Sequence, residues 1–243
     1  MAGKFYGIGL GPGDPGLVTL KAAEALRSVK AIYAVASRQS DRSVSGHILD
    51  ALPGITATCT ELEFTMSKDF GERLARIDEH AARILAGIRR GDDAAFVTIG
   101  DPMTYSTCSY LLRALRRMEP ELEYEIIPGV NSWSALAAAT ATALAEDREV
   151  LRIIPVAVPP EPEKLAAMLQ ENGTSVLLKC YRTRGQLIDL LARSGYRVSY
   201  GANLGLEDEF ISADPAEIAA RPEEYLSMLL CRRQQKADEA PGS

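Results

Sequence analysis

Apolar positions in the first hundred residues alternate between two spacings. Short apolar runs at residues 5–10 and 31–35 read as strands, and between them residues 19–28 repeat at helical intervals with Thr19 placed to cap the start. A mixed segment then ends near Pro53-Gly54. The longest helical pattern covers residues 69–90, where Phe70, Leu74, Ile77, Ala81, Ile84, Leu85 and Ile88 share a face. Glu72/Arg76 and Glu79/Arg83, four apart, support its other faces. Gly91 closes this helix, residues 94–99 form a strand delivering Gly100 and Asp101 to its carboxyl end, and a helix follows at 106–118. Such alternation predicts βαβ units around a parallel sheet.

The run Glu119-Pro120-Glu121-Leu122-Glu123 interrupts the pattern and reads as a surface crossing between two halves. The expected division is therefore a domain at 1–121, a second at 122–234, and a polar tail at 235–243 that reads as disordered. The second half opens with a strand at 124–127 and an Ala-rich helix at 132–145. Strands are then expected at 151–158, 175–179, 197–200, 209–212 and 225–231, with helices at 162–170 and 183–194. Few helices separate the later strands, so this half is expected to hold a mixed sheet. The fold class is α/β.

Composition narrows the function. Of the 243 residues, 47% are hydrophobic and 25% charged, as in a globular chain, and a net charge of -6 argues against nucleic acid as a partner. No apolar stretch approaches the ~18 residues of a membrane helix, and Met1 leads almost directly into a strand with no signal-peptide pattern. A cytoplasmic location without a membrane partner is the expectation. Cys59, Cys108, Cys180 and Cys231 form no Cys-x-x-Cys pair and have no nearby His, so they are expected to be reduced and structural, with no metal site. With only His47 and His80, catalysis built on several histidines is excluded.

Three Gly-rich turns follow apolar runs: residues 7–16, 100–107 and 128–132. Turns at the carboxyl ends of parallel strands are where open α/β sheets bind small molecules. Gly11, Gly13 and Gly16 satisfy the letters of the dinucleotide fingerprint, but Pro12 and Pro15 remove backbone donors, and Asp41 lies beyond the spacing of a ribose-binding acid. A nucleotide-dependent oxidoreductase is therefore disfavoured. Structural alternatives stand beside the functional ones: a sharp turn needing glycine φ angles, Asp14 bonding backbone two residues on, Asp101 capping the next helix, and Asn131 or Ser132 as an N-cap.

The segment from Gly9 through Thr19 resembles the opening signature of the tetrapyrrole (uroporphyrinogen/precorrin) methyltransferases, Gly-x-Gly-Pro-Gly-Asp followed by Leu and Thr. Gly100-Asp101-Pro102 resembles the family's second signature. Pro128-Gly129-Val130-Asn131-Ser132 resembles its third, with Asn131 in place of the usual hydroxyl residue. Phe64-Thr65-Met66-Ser67-Lys68-Asp69, with Thr65 replacing a proline, and Tyr105-Ser106-Thr107 are similar to the branch acting at C20 of precorrin-2 or cobalt-factor II. The Val176-Leu177-Leu178-Lys179-Cys180-Tyr181 strand end is similar to the same branch.

That resemblance implies the two-domain tetrapyrrole methylase fold: an N-terminal, mostly parallel sheet with helices on both faces, a C-terminal mixed sheet, and a cleft between them. It implies S-adenosyl-L-methionine as cofactor, a tetrapyrrole substrate, a homodimer, and C20 methylation in cobalamin biosynthesis. The implied cofactor residues are Pro12, Gly100, Asp101, Met103, Thr104, Tyr105, Ser106, Thr107, Val130, Asn131, Ser132, Cys180, Tyr181, Asn203 and Leu204. Gly9, Gly11 and Gly13 form the first loop. Asp14, Asp101 and Tyr105 are the candidates for a base, and His47 and His80 read as surface or structural. Arg38, Arg42, Lys68, Arg182 and Arg184, each just after an expected strand, are candidates to meet substrate carboxylates. Any cobalt would arrive inside the macrocycle. A methyltransferase of the same fold acting elsewhere, and a non-catalytic ligand-binding module, are the remaining alternatives.

Overall fold

A computed structural model describes residues 2–36, 43–64, 69–156, 162–169, 173–193 and 195–233. The chain forms two compact units, Met1–Asn131 and Ser132–Ser243.

The first unit holds β1 (Phe5–Gly9), α1 (Leu20–Ser28), β2 (Ala31–Val35), α2 (Val44–Ala51), β3 (Thr58–Leu62), α3 (Phe70–Ile88), β4 (Ala94–Thr98), α4 (Thr107–Met118) and β5 (Tyr124–Ile127). The strands form one parallel sheet in the order β3-β2-β4-β1-β5. The two-residue period of a strand sends Ala94 and Phe96 to one face of β4 and Ala95 and Val97 to the other, so both faces need a cover. Helices α3 and α4 supply Ile84, Leu85, Leu111 and Leu115 on one side, packed with Phe5 and Phe96. On the other side α1 and α2 supply Leu26, Ile48 and Leu49, packed with Ile8, Val97 and Ile127. Thr19 caps α1 as expected, its hydroxyl accepting from the Ala22 amide at 3.1 Å.

The 124–127 strand differs from expectation in its partner. Instead of opening the second half it pairs in parallel with β1, Phe5 opposite Tyr124, so the Glu-Pro-Glu run is the turn between α4 and β5. Two elements give no clear sequence signal. Edge strand β3 carries Thr58, Thr60 and Glu61 on partly solvated backbone, and α2 lies within the mixed stretch.

The second unit holds α5 (Ser132–Ala139), β6 (Val150–Pro155), α6 (Pro162–Leu169), β7 (Gly173–Leu178), α7 (Arg184–Arg193), β8 (Tyr196–Ala202), β9 (Phe210–Ser212), α8 (Pro215–Ala220) and β10 (Ser227–Arg233). Its sheet order is β6-β7-β10-β8-β9. Only β6 and β7 pair in parallel, which makes this the expected mixed sheet. Helix α5 stops six residues short of expectation because Ala141 takes a left-handed φ of 47°. The Thr142 amide then bonds the Ala137 carbonyl and the Ala141 amide that of Ala138, satisfying the end of the helix. Helix α8 was not anticipated; Asp214 caps it and Pro215 begins it. Among the described residues no helix is long and apolar enough to cross a membrane.

Candidate functional site

Parallel strands bring their carboxyl ends to one edge of the sheet, and β4, β1 and β5 are neighbours, so the three Gly-rich loops emerge side by side. The chain after β1 leads to α1 on one face and the chain after β4 leads to α4 on the other. The crevice between two such diverging loops is where an open sheet offers free backbone to a ligand.

Glycine is what lets the loops touch. Gly11 (φ 80°) and Gly100 (φ 70°) are both left-handed and form a two-way bridge, the Gly100 amide donating to the Gly11 carbonyl at 2.7 Å. A Cβ on Gly129 would collide with the Gly100 carbonyl oxygen, and one on Gly9 would sit 2.5 Å from the same atom. Around a Cβ built on Gly100, by contrast, nothing lies within 4 Å. One side of the Gly100 peptide is locked against its neighbours and the other borders open space.

Asp101 fastens this arrangement. Its Oδ1 accepts from the Met103 amide at 2.9 Å and the Thr104 hydroxyl at 3.2 Å, and its Oδ2 accepts from the Gly129 amide at 3.3 Å. It closes its own turn and does not cap α4. Ser106 caps that helix, its hydroxyl accepting from the Cys108 amide at 3.1 Å and donating to Thr98 Oγ1 at 3.2 Å. Ser106 is buried, while Met103 and Tyr105 stay about half exposed, Tyr105 with a left-handed φ of 50°. Thr107 is half-buried. Burial pushes the Cys108 thiol, beneath this loop, up to about 12.

In the first loop Pro12 is buried, and exposed Asp14 accepts the Gly16 amide at 2.7 Å at the head of a short 3-10 turn, Pro15–Leu17. The Leu10, Gly11, Gly16, Leu17 and Val18 amides are all spent on internal bonds and Pro12 and Pro15 have none. That leaves the loop with fewer free donors than the dinucleotide fingerprint offers a pyrophosphate. Val130 and Asn131 follow β5, and Ser132 opens α5; all three are half-buried.

In the second unit β6, β7 and β8 run in the same direction, so residues after β7 and β8 share one sheet edge. Tyr181 and Asn203 lie there. Asn203 is left-handed (φ 50°), its amide donates to the Leu226 carbonyl at 2.8 Å, and its side chain donates to Asp208 at 2.7 Å. Cys180 and Leu204 are withdrawn into apolar clusters, so only their backbone remains for the expected contact. Burial pushes the Cys180 thiol up to about 12.

The substrate expectation for Arg184 is corrected. Arg184 is buried, and its guanidinium donates to the Tyr200 hydroxyl at 3.1 Å, the Pro222 carbonyl at 2.9 Å and the Arg221 carbonyl, which leaves it committed to the fold. Exposed Arg182 lies 3.7 Å from Glu223 and 5.2 Å from the Tyr181 ring. Arg38, Arg42 and Lys68 lie outside the described residues. Sequence reasoning also missed Thr98, which bonds Ser106, and Tyr225, whose ring packs on Tyr181 with centroids 5.8 Å apart. Neither sits in a recognisable motif.

A fold with glycine-locked loops at the ends of a parallel sheet, followed by a mixed sheet, defines a class, and the comparisons state which. Residues 4–219 match the model of the tetrapyrrole (corrin/porphyrin) methylases, and the chain belongs to this family. It is 35% identical to the cobalt-precorrin-2 C(20)-methyltransferase of Salmonella typhimurium over 80% of each chain. It is 32% identical to the probable cobalt-precorrin-2 C(20)-methyltransferase of Methanocaldococcus jannaschii, over 95% of this chain and 96% of that one. The fold is shared with a cobalt precorrin-4 methyltransferase (TM-score 0.71, 23% identity, 94% of each chain). It is also shared with a uroporphyrin-III C-methyltransferase from Thermus thermophilus complexed with S-adenosyl homocysteine (TM-score 0.64, 21% identity, 95% of this chain and 92% of that one).

Proposed function

We propose that the protein transfers a methyl group from S-adenosylmethionine to C20 of precorrin-2 or its cobalt complex in cobalamin biosynthesis. The observation that carries this reading is the similarity, at 32–35% identity over most of the chain, to two proteins named as C20-methyltransferases. The loop at Gly100 is compatible with the donor: its backbone borders open space that any side chain would fill, and exposed Met103 and Tyr105 flank it.

When bound, the donor supplies an activated methyl on a sulfonium, so the chain need supply no covalent nucleophile. The work left to the protein is positioning, which supplies at most roughly 7–11 kcal/mol of such a barrier. Asp101 serves it by holding the 101–104 turn against Gly129, so backbone groups facing the open side keep fixed directions. Pro12, Gly100, Asp101, Met103, Thr104, Tyr105, Ser106, Thr107, Val130, Asn131, Ser132, Tyr181 and Asn203 are proposed as donor contacts, together with the backbone of Cys180 and Leu204. Asp101 already accepts three hydrogen bonds, which favours Asp14 or Tyr105 as the group that assists loss of the C20 proton. Arg38, Arg42 and Lys68 are proposed for the substrate carboxylates, whereas Arg182 faces Glu223. A cytoplasmic homodimer belongs to the same reading.

The test is incubation with isotopically labelled S-adenosylmethionine and either metal-free precorrin-2 or its cobalt complex, followed by mass and NMR assignment of the new methyl. Label at C20 is the expected result. Label at another carbon removes the C20 assignment, and absence of donor binding removes the methyltransferase reading.

A further inference from the structure

Tyr225 is an aromatic side chain left 53% exposed at the carboxyl edge of the second sheet, and no motif marks it. It lies between the two segments that the proposed function assigns to the donor. Its ring meets Tyr181 at an interplanar angle of 61°, and the next residue, Leu226, accepts the Asn203 amide at 2.8 Å.

A buried brace holds both tyrosines. Arg184, three residues after Tyr181, donates to the Arg221 and Pro222 carbonyls, which tethers the start of the Tyr225 segment to that of Tyr181. Glu224, buried beside Tyr225, accepts the Tyr200 hydroxyl at 2.9 Å and pairs with Arg221, and its carbonyl accepts the Ser227 hydroxyl at 2.6 Å. Burial raises the Tyr200 hydroxyl above its ordinary range, which keeps it protonated as the donor in this network. An exposed ring braced by a half-buried one on so rigid a base is preorganised for a flat ligand, since little side-chain freedom remains to be lost on binding.

We propose that Tyr225, edge to face with Tyr181, is the platform that receives the purine ring of the methyl donor. This rests on the donor assignment above. Two flat ligands belong to the proposed reaction, and charge separates them. The exposed carboxylates Glu207, Asp208, Glu209 and Glu223 at this edge outnumber the exposed cations Lys179 and Arg182, and Arg182 faces Glu223. An acidic rim repels a polycarboxylate macrocycle and favours a donor that carries a sulfonium and an ammonium group.

Titration of S-adenosylhomocysteine into the full chain and its Tyr225 variants tests the assignment. Stacking of a base on an aromatic side chain predicts roughly tenfold or greater weakening in Tyr225→Ala. Tyr225→Phe should remain within about twofold of the parent, and Tyr225→Ile, apolar but not flat, should weaken like alanine. Thermal unfolding of the same proteins guards against a folding defect, which an exposed position does not predict. Parent-like affinity in a folded Tyr225→Ala protein overturns the platform and leaves the donor reading intact. So does a rise in KM for the macrocycle with unchanged donor affinity. Absence of binding by the unmodified chain overturns the donor reading itself, and the platform with it.

Discussion

The Asp101 carboxylate reaches from the loop after β4 to the Gly129 amide after β5, 3.3 Å away, and so joins the two loops that the proposed donor site needs. Truncation in Asp101→Ala leaves the Met103 and Gly129 amides without this partner, at a cost of about 1–3 kcal/mol. Thermal unfolding should show the loss, and calorimetry should show weaker S-adenosylhomocysteine binding. Asp101→Asn keeps an acceptor and should fall between. Unchanged binding in a destabilised Asp101→Ala protein would mean that the turn is purely structural.

Gly129 and Gly100 should respond differently to one added methyl group. Gly129→Ala drives a Cβ into the Gly100 carbonyl and should destabilise by about 3 kcal/mol or prevent folding. Gly100→Ala meets no atom within 4 Å and pays only for a left-handed alanine, about 1–2 kcal/mol. Its effect should instead appear as lost donor affinity, because the methyl occupies the open side of the loop. Denaturant unfolding and ligand titration on both variants separate the two.

Arg184 and Arg182, two residues apart, should differ in what they contribute to stability. Arg184→Ala leaves buried acceptors unpaired and should destabilise by about 2–4 kcal/mol. Arg182→Ala removes an exposed charge 3.7 Å from Glu223 and should cost under about 1 kcal/mol. An unchanged KM for the tetrapyrrole in Arg182→Ala, with stability intact, is expected at an acidic edge, and a rise would place a substrate carboxylate there instead.

Acid should act through Glu125. Hydrogen bonds from Lys21 and Lys4, the latter at 2.6 Å, hold its carboxyl down to about 2, against an ordinary value of 4.5. A depressed folded-state value means the contribution is complete above about pH 4.5 and is lost as pH falls toward 2. Glu125→Gln should therefore narrow the difference in urea midpoint between neutral and acid solution. An identical pH profile in parent and variant would show that the triad is inert.

The thiols predict an order of modification. Cys59 is only partly buried, with its thiol raised to about 11, whereas Cys108, Cys180 and Cys231 are fully buried. An alkylating reagent at neutral pH should reach Cys59 first, slowly, and the other three only on unfolding. Peptide mapping after timed alkylation checks this. For the buried thiols the raised folded-state values also mean that stability holds below about pH 9 and falls as the solution becomes more alkaline.

Local signals in the chain were enough to mark the first-unit loops, because glycine and proline act on φ at their own positions. Gly11 and Gly100 adopt the left-handed angles that their turns require, and Thr19 caps the helix that follows it, whereas α4 is capped by Ser106 and not by Asp101. The α3 stripe was legible from Ile77 to Ile88, where 3.6-residue periodicity leaves one apolar face, while Phe70 at its start stays exposed. Edge strand β3 was not, because a half-solvated edge needs no apolar run.

Arg184 shows where such reading stops. Its partners lie 16, 37 and 38 residues along the chain, and nothing in its neighbours distinguishes it from exposed Arg182. The sequence by itself determined the turns, the Thr19 cap, the α/β alternation and the family. Tertiary structure alone decided that β5 joins the first sheet, that Asp101 ties two loops, and that Arg184 is withdrawn from the surface. Backbone preference and periodicity are properties of a few consecutive residues. Pairing and desolvation depend on which distant segments arrive beside a group, and only the folded chain supplies them.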